Sequence, residues 1–292
     1  MTPLIIIGCG FVGGHLARAA LSAGRTVRVL ARSTGRLAPL GALGAEVKFL
    51  DVSVPTKIAT AISGLHGATV VYSVPPVTSL RPGQAVKAAM LAAYGIGATS
   101  FIYLSSSGLY GDRPDDDVWI DEDSPVDIDR GMQNVKSDED EVEKTELDRL
   151  RTITLRLAPV YAPGKGIRGR LRKGEYKMID DGEHAISRIY IDDLVRIIFA
   201  AEEKAPHRAL YMVGDDEPTT QRTYATWLSN HLGLPMPETK SLYDNTGNRV
   251  LHRNRKIKNT RLKTELGIEL KFPSFREGEL AIDEAEKAKA QG

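Results

Sequence analysis

Cysteine is almost absent from this 292-residue chain: Cys9 stands alone. That excludes an internal disulfide and a cysteine-based zinc cluster, and it fits a reducing compartment. Net charge is almost absent too. Basic residues number 39 and acidic residues 38, for a net charge of +1, so no global field steers the chain toward nucleic acid or an anionic membrane, and any anion site has to be local. Long hydrophobic runs are missing. The apolar stretch MTPLIIIGCGFVGGHLARAALSAG carries no charged leader segment, and its glycines, His15 and Arg18 interrupt it before membrane-spanning length. Repeats, low-complexity tracts and an aromatic-interleaved basic face are also missing. These absences predict a soluble, cytoplasmic protein with no membrane or nucleic-acid partner. The 42% hydrophobic content is enough to bury the core of one large α/β domain, with or without a smaller appended lobe.

Through the first half, short apolar runs alternate with helical patterns. Strands are predicted at 4–7, 26–30, 47–50, 69–72, 101–104 and 152–157, with helices at about 12–23, 55–63, 82–93 and 137–150. Continuous apolar strands separated by helices imply a doubly wound parallel sheet, an α/β Rossmann architecture with all strand C-termini on one edge. The second half loses the alternation. After Leu157 comes the Pro/Gly-rich, basic stretch APVYAPGKGIRGRLRKGEYK, then RIYIDDLVRIIFAAEEK as strand into helix, a strand at 209–213, and helices at about 224–232 and 259–266. The expected division is a dinucleotide-binding domain at 1–156 to which 188–214 return, and a smaller α/β lobe, 157–187 and 215–292, over the strand C-termini. A small-molecule substrate is expected in that lobe. Acidic clusters at 115–117, 121–123 and 138–143 read as solvated surface rather than metal sites.

Gly8-Cys9-Gly10-Phe11-Val12-Gly13 is a G-x-G-x-x-G that follows the first strand and opens a helix within a βαβ unit, the context that makes the motif a dinucleotide-binding signal. Gly8 permits the turn, Gly10 has no Cβ to block a pyrophosphate, Gly13 lets helix and strand pack closely, and free N–H groups face the anion. Cys9 has no ligand-spaced neighbours and is read as packing. In place of the acidic residue that holds both ribose hydroxyls of NAD, the second strand ends in Ala31-Arg32-Ser33. Arg32 suits a 2′-phosphate because its guanidinium is planar and permanently charged, with Ser33 as a second contact, although a surface arginine in a loop is the plainer reading. NADP is therefore the expected cofactor and NAD the alternative. Asp51 and Val52, after the third strand, suit the adenine ring, and Pro75 and Leu157 complete the expected cofactor contacts.

At the fifth strand the chain reads FIYLSSSGLYGD, and with the glycine turn, Asp51-Val52, LRLAPVYAPG, RIYIDDLV and the tail RNRKIKNTRLKTELGIELKFPSFREG it resembles the extended and atypical short-chain dehydrogenase/reductase superfamily, the NAD-dependent epimerase/dehydratase-like group. The resemblance implies a serine that polarises the substrate oxygen, here Ser106 with Ser105 and Ser107 as neighbours one residue out of register. It also implies a tyrosine in Y-x-x-x-K as proton donor, and a lysine that holds the nicotinamide ribose and lowers the tyrosine's pKa. The tyrosine is missing. Arg130-Gly131-Met132-Gln133-Asn134-Val135-Lys136 puts Met132 four residues before Lys136, and a thioether transfers no proton. Lys136 is expected either at the cofactor, with a catalytic role, or in a surface ion pair.

Tyr110, Tyr161 and Tyr190 are candidate substitutes, more plausible as packing. Of His15, His66, His184, His207, His231 and His252, only His184 falls in a loop near the lobe, and none has metal-ligand spacing. The basic run Lys165, Arg168, Arg170, Arg172, Lys173 and Lys177 suits a phosphate or carboxylate, or else is a solvated helix start. The leading functional reading is an NAD(P)-dependent oxidoreductase or epimerase/dehydratase-like enzyme acting on a small hydroxyl or carbonyl substrate, a sugar nucleotide or another anion. The alternative is a non-catalytic NADP-binding redox sensor or regulatory module. A scaffold that binds no cofactor conflicts with the intact glycine turn. A homodimer is left open.

Overall fold

The structure is a computed structural model that describes residues 1–111, 118–128, 132–241 and 254–291. The acidic cluster at 115–117, His252 and the Arg130-Gly131 pair lie outside the described residues.

Seven strands form one parallel sheet among the described residues. In chain order they are β1 (Leu4–Ile7), β2 (Val27–Ala31), β3 (Glu46–Phe49), β4 (Thr69–Tyr72), β5 (Ser100–Ser106), β6 (Arg151–Leu157) and β7 (Ala209–Val213). Their spatial order is β7-β6-β5-β4-β1-β2-β3. All neighbours are parallel. The order reverses between β1 and β4, and that switch point opens a crevice at the strand C-termini where ligands of doubly wound sheets sit.

Local sequence accounts for the layers. In β1 all four residues are fully buried, because alternate side chains feed two cores: Leu4 and Ile6 pack with helices α1 (Phe11–Ser22) and α2 (Ala38–Ala42), and Ile5 and Ile7 with α3 (Ile58–Ile62) and α4 (Gln84–Gly95). Helix α5 (Gln133–Lys144) closes the second face through Val142. The helix expected at 137–150 begins four residues earlier and stops at Lys144, since Leu147 and Leu150 are buried in the turn that feeds β6.

Two acidic clusters are solvated surface only in part, a correction to the expectation: Asp123 and Glu143 are exposed, but three members are buried. Asp138 and Glu139 on α5 are 4% and 5% exposed, and Glu122 is 8% exposed. Each carboxylate is drawn inside by a donor: Asp138 by the Tyr103 hydroxyl at 3.4 Å, Glu139 by Arg156, and Glu122 by the Met212 N–H at 2.8 Å. Burial raises the Asp138 pKa to about 6.

The later elements are α6 (Arg168–Arg172), α7 (Ile191–Lys204), α8 (Gln221–Leu232), α9 (Thr260–Leu266) and α10 (Phe275–Gln291). Sequence periodicity does not reveal α10, whose first turn carries Gly278. A Cβ at 278 would lie 2.0 Å from the Tyr161 hydroxyl, so the glycine is there for helix-to-ring contact. No helix of the described residues is long and apolar enough to cross a membrane.

Candidate active site

The glycine turn lies at the switch point. Gly8 has φ of +87°, and a Cβ there would meet Val74 Cγ2 at 2.6 Å and the Ser73 carbonyl carbon at 2.8 Å. That close approach seats the turn against the segment after β4, where Pro75 is exposed. Gly13 packs on β1, its Cβ position 3.0 Å from Ile6 Cγ2. Gly10 differs from both: a Cβ there meets only the Gly8 oxygen, at 3.9 Å. The fold leaves that space open. Gly10 caps α1 with no side-chain hydrogen bond, so the amides of Phe11, Val12 and Gly13, which lack intrahelical partners by helix geometry, point into it. Cys9 is buried and its thiol is pushed up to about 11 by that burial, which makes it a packing residue rather than a nucleophile.

Arg32 and Ser33 are exposed beyond β2. Asp51 follows β3, accepts the Ser53 N–H at 3.0 Å, and has its carboxyl held below the usual range by hydrogen bonds from Ser53 and by the Arg32 charge nearby. Val52 is buried beside it.

A cavity of about 810 Å³ lies over the ends of β5 and β6 and reaches into the second lobe, and Ser106, Met132 and Leu157 line it. Ser106 ends β5, and its Oγ accepts the Gly108 N–H at 3.0 Å. Met132 precedes α5 and lies on Gly108: a Cβ at 108 would be 2.8 Å from Met132 Cε and 3.0 Å from Ser106 Oγ. The structure thus brings Met132 and Ser106 together. Lys136, one turn on, ion-pairs with Asp140 on its own helix and is not among the residues that line the cavity.

Beneath Ser106 runs a buried polar network that sequence reasoning missed. Glu139 takes two N–H groups of Arg156, at 3.0 and 2.7 Å, and the Ser105 hydroxyl at 2.5 Å. Arg156 also donates to the Tyr110 hydroxyl at 2.5 Å, which in turn donates to the Asp121 carbonyl at 2.9 Å. These contacts tie α5 to β5 and β6 and fix the position of Met132.

The cavity wall carries Lys165, Arg170, Lys177, Arg188, Lys240 and Arg255, and, among the described residues, no carboxylate. The basic run of the sequence is split by α6. Arg168 turns away and is 5% exposed, bound to Glu279, Asp283 and Glu286 of α10, and Arg172 joins Glu286. Arg168 is thus neither a substrate contact nor solvated. Lys177 pairs with Glu238 at 2.8 Å. Arg188 is buried against the carbonyls of Ile186 and Thr219, at 2.9 and 3.2 Å, with the Tyr224 ring 4.4 Å away. Arg188, Lys240 and Arg255 escaped the sequence reading. Only Arg188 had a signal, its place one residue before IYIDD.

The phenols on the wall are engaged elsewhere. Tyr161 donates to the Ser274 carbonyl at 3.3 Å, Tyr176 to Gln221 at 3.4 Å, and Tyr224 to Glu279. Tyr190 packs between Tyr161 and Phe272, and Tyr110 is in the buried network. His184 does not line the cavity. His15 packs on Phe11 at 4.9 Å, and burial lowers its pKa. Among the described residues, no group of three His, Cys, Asp or Glu side chains has metal-binding geometry.

A family model described as the NAD dependent epimerase/dehydratase family matches residues 4–214. Among solved structures, a conserved protein of unknown function from Silicibacter pomeroyi is 26% identical with a TM-score of 0.81, covering 98% of this chain and 99% of that one. UDP-glucose 4-epimerase from Thermotoga maritima, solved with UDP-glucose, is 22% identical with a TM-score of 0.80 and 99% of each chain covered. A dTDP-glucose 4,6-dehydratase from Streptomyces venezuelae, solved with NAD bound, is 18% identical with a TM-score of 0.79, covering 95% of this chain and 94% of that one. At these identities the two enzymes share the fold. No curated protein matches the sequence.

Proposed function

The chain belongs to the NAD dependent epimerase/dehydratase family, and from that premise we propose an enzyme that moves hydride between a nicotinamide dinucleotide over the glycine turn and a hydroxyl or carbonyl of an anionic substrate in the lobe. The observation that carries this reading is the cavity wall, where Ser106 shares about 810 Å³ with six cations and, among the described residues, no carboxylate. Clustered like charges repel, and a bound anion relieves the repulsion. The epimerase solved with UDP-glucose and the dehydratase solved with NAD support a sugar nucleotide and a dinucleotide as the ligand classes.

The open space at Gly10 and the uncapped amides of α1 fit a pyrophosphate. Gly8, Gly10, Phe11, Val12 and Gly13 would hold it, Asp51 and Val52 the adenine, Arg32 and Ser33 a 2′-phosphate, with Pro75 and Leu157 flanking. When bound, the dinucleotide supplies a hydride donor or acceptor. Because the Gly108 N–H donates to Ser106 Oγ, the hydroxyl hydrogen is left to donate to a substrate oxygen. Met132 offers no proton, and the wall phenols are turned to other acceptors. The proton would then pass through water, a hydroxyl of the substrate or a relocated side chain. Lys136 would reach a ribose only by giving up Asp140.

The same two facts, Met132 beside Ser106 and Lys136 held by Asp140, favour a second reading, a non-catalytic redox sensor or regulatory module. Calorimetric titration with NAD and NADP, then with UDP-glucose and free glucose, separates the readings. The enzyme reading expects a dinucleotide and UDP-glucose to bind, glucose not to bind, and the nicotinamide absorbance to change on mixing. Binding without any such change leaves the sensor, and no dinucleotide binding removes both.

Arg32 is proposed to favour NADP. A charge-assisted hydrogen bond contributes roughly 1.5–3 kcal/mol, so Arg32→Ala should weaken NADP about tenfold to a hundredfold and leave NAD nearly unchanged. Equal losses for both would show that Arg32 does not read the 2′-phosphate. Met132→Leu is expected to keep most of any hydride-transfer rate, because one apolar side chain replaces another of similar volume. A strong loss of kcat in that variant would mean that the side chain at 132 takes part in the reaction.

A further inference from the structure

We infer that Lys165, reaching from the second lobe, is a pyrophosphate ligand of the bound dinucleotide, an inference that rests on dinucleotide binding at the glycine turn. Lys165 sits in a tight hairpin: Ala162 and Lys165 exchange N–H to carbonyl bonds of 3.0 and 2.9 Å, and Gly164 and Gly166 have φ of +76° and +128°. The hairpin follows Val160–Tyr161, which pairs with Ile189–Tyr190, so the backbone of Lys165 is anchored to the body of the protein.

From there its ammonium reaches across to the glycine turn and lies 4.3 Å from the centroid of the Phe11 ring. Phe11 is the first residue of α1. A cation is out of place at that end of a helix, where uncapped amides already present partial positive charge. Among the described residues no carboxylate pairs with Lys165. Two positive features, the amides of α1 and the ammonium on the Phe11 ring, thus lie near the residue whose Cβ position is open, Gly10. An anion between them converts their repulsion into two attractions, and the pyrophosphate of a dinucleotide carries the charge for both. The aromatic face holds the ammonium in the meantime. Because Lys165 also lines the substrate cavity, it stands at the border between the two ligands.

The test uses Lys165→Met, which keeps the apolar stem on Phe11, and Lys165→Arg, which keeps the charge. NAD, ADP-ribose and UDP are titrated calorimetrically at low and high salt. Lys165→Met should weaken NAD and ADP-ribose about tenfold to a hundredfold, flatten their salt dependence, and weaken UDP by a smaller factor. Lys165→Arg should bind NAD nearly as the unaltered protein does. Unchanged NAD affinity in Lys165→Met overturns the inference, and so does a loss confined to UDP, which would assign the lysine to the substrate instead. If the unaltered protein binds no NAD, the dinucleotide reading itself fails, and the inference with it.

Discussion

Glu139→Ala is expected to cost the fold about 3–5 kcal/mol, the loss typical of a buried ion pair robbed of one partner. Glu139 and Arg156 have side chains 6% and 8% exposed, joined at 2.7 Å. Removing the carboxylate leaves a buried guanidinium with only the Tyr110 hydroxyl and ring, and orphans the Ser105 hydroxyl. At this chain length the melting temperature should fall by roughly 5–8 °C. The double variant Glu139→Leu with Arg156→Met should recover much of that loss, since an apolar pair of similar volume replaces the ion pair without stranding a charge. Thermal unfolding of both variants checks the assignment. A single variant that melts within a degree or two of the unaltered protein would show that the pair is not buried as described. The consequence extends to the site, because the network anchors α5 and so holds Met132 against Gly108 beside Ser106.

Gly10→Val should reduce dinucleotide affinity by more than about a hundredfold, a loss of roughly 3 kcal/mol or more, while the protein stays folded. The space at Gly10 is bounded only by the Gly8 oxygen, 3.9 Å away, and its φ is −93°, on the side that L residues adopt. Among the described residues nothing fills that space, so a side chain there costs the ligand rather than the chain. Gly8→Ala is the contrasting control. Its φ of +87° and the 2.6 Å approach of Val74 put strain and a clash into the folded state itself. Calorimetry with NAD and circular dichroism together distinguish the two. Unchanged NAD affinity in a folded Gly10→Val protein would falsify the placement of the pyrophosphate.

The parts of the molecule legible in sequence are those whose cause is local. The run Leu4-Ile5-Ile6-Ile7 and the glycine spacing after it specify a buried strand, a tight turn and an uncapped helix within a span of about 30 residues; Gly10 and Gly13 have their neighbours in that unit, whereas Gly8 is fitted against Ser73 and Val74 after β4. Ser106 was picked out by the resemblance of FIYLSSSGLYGD to the superfamily's fifth-strand segment. Helix α5 was misread because Asp138 and Glu139 were taken as charges seeking water, when donors from β5 and β6 draw them inside. Arg168 was misread for the same reason, since its carboxylates lie more than a hundred residues on, in α10.

By itself the sequence determined the doubly wound sheet and the tight glycine turn, because apolar period and glycine conformation act over a few residues. Only the tertiary structure decided which charges meet. It brought Lys165, Arg188, Lys240 and Arg255 to one cavity, sent Arg168 away from it, and tied Lys136 to Asp140. Electrostatic energy depends on distance and burial in space, and neither is encoded in the separation of residues along the chain.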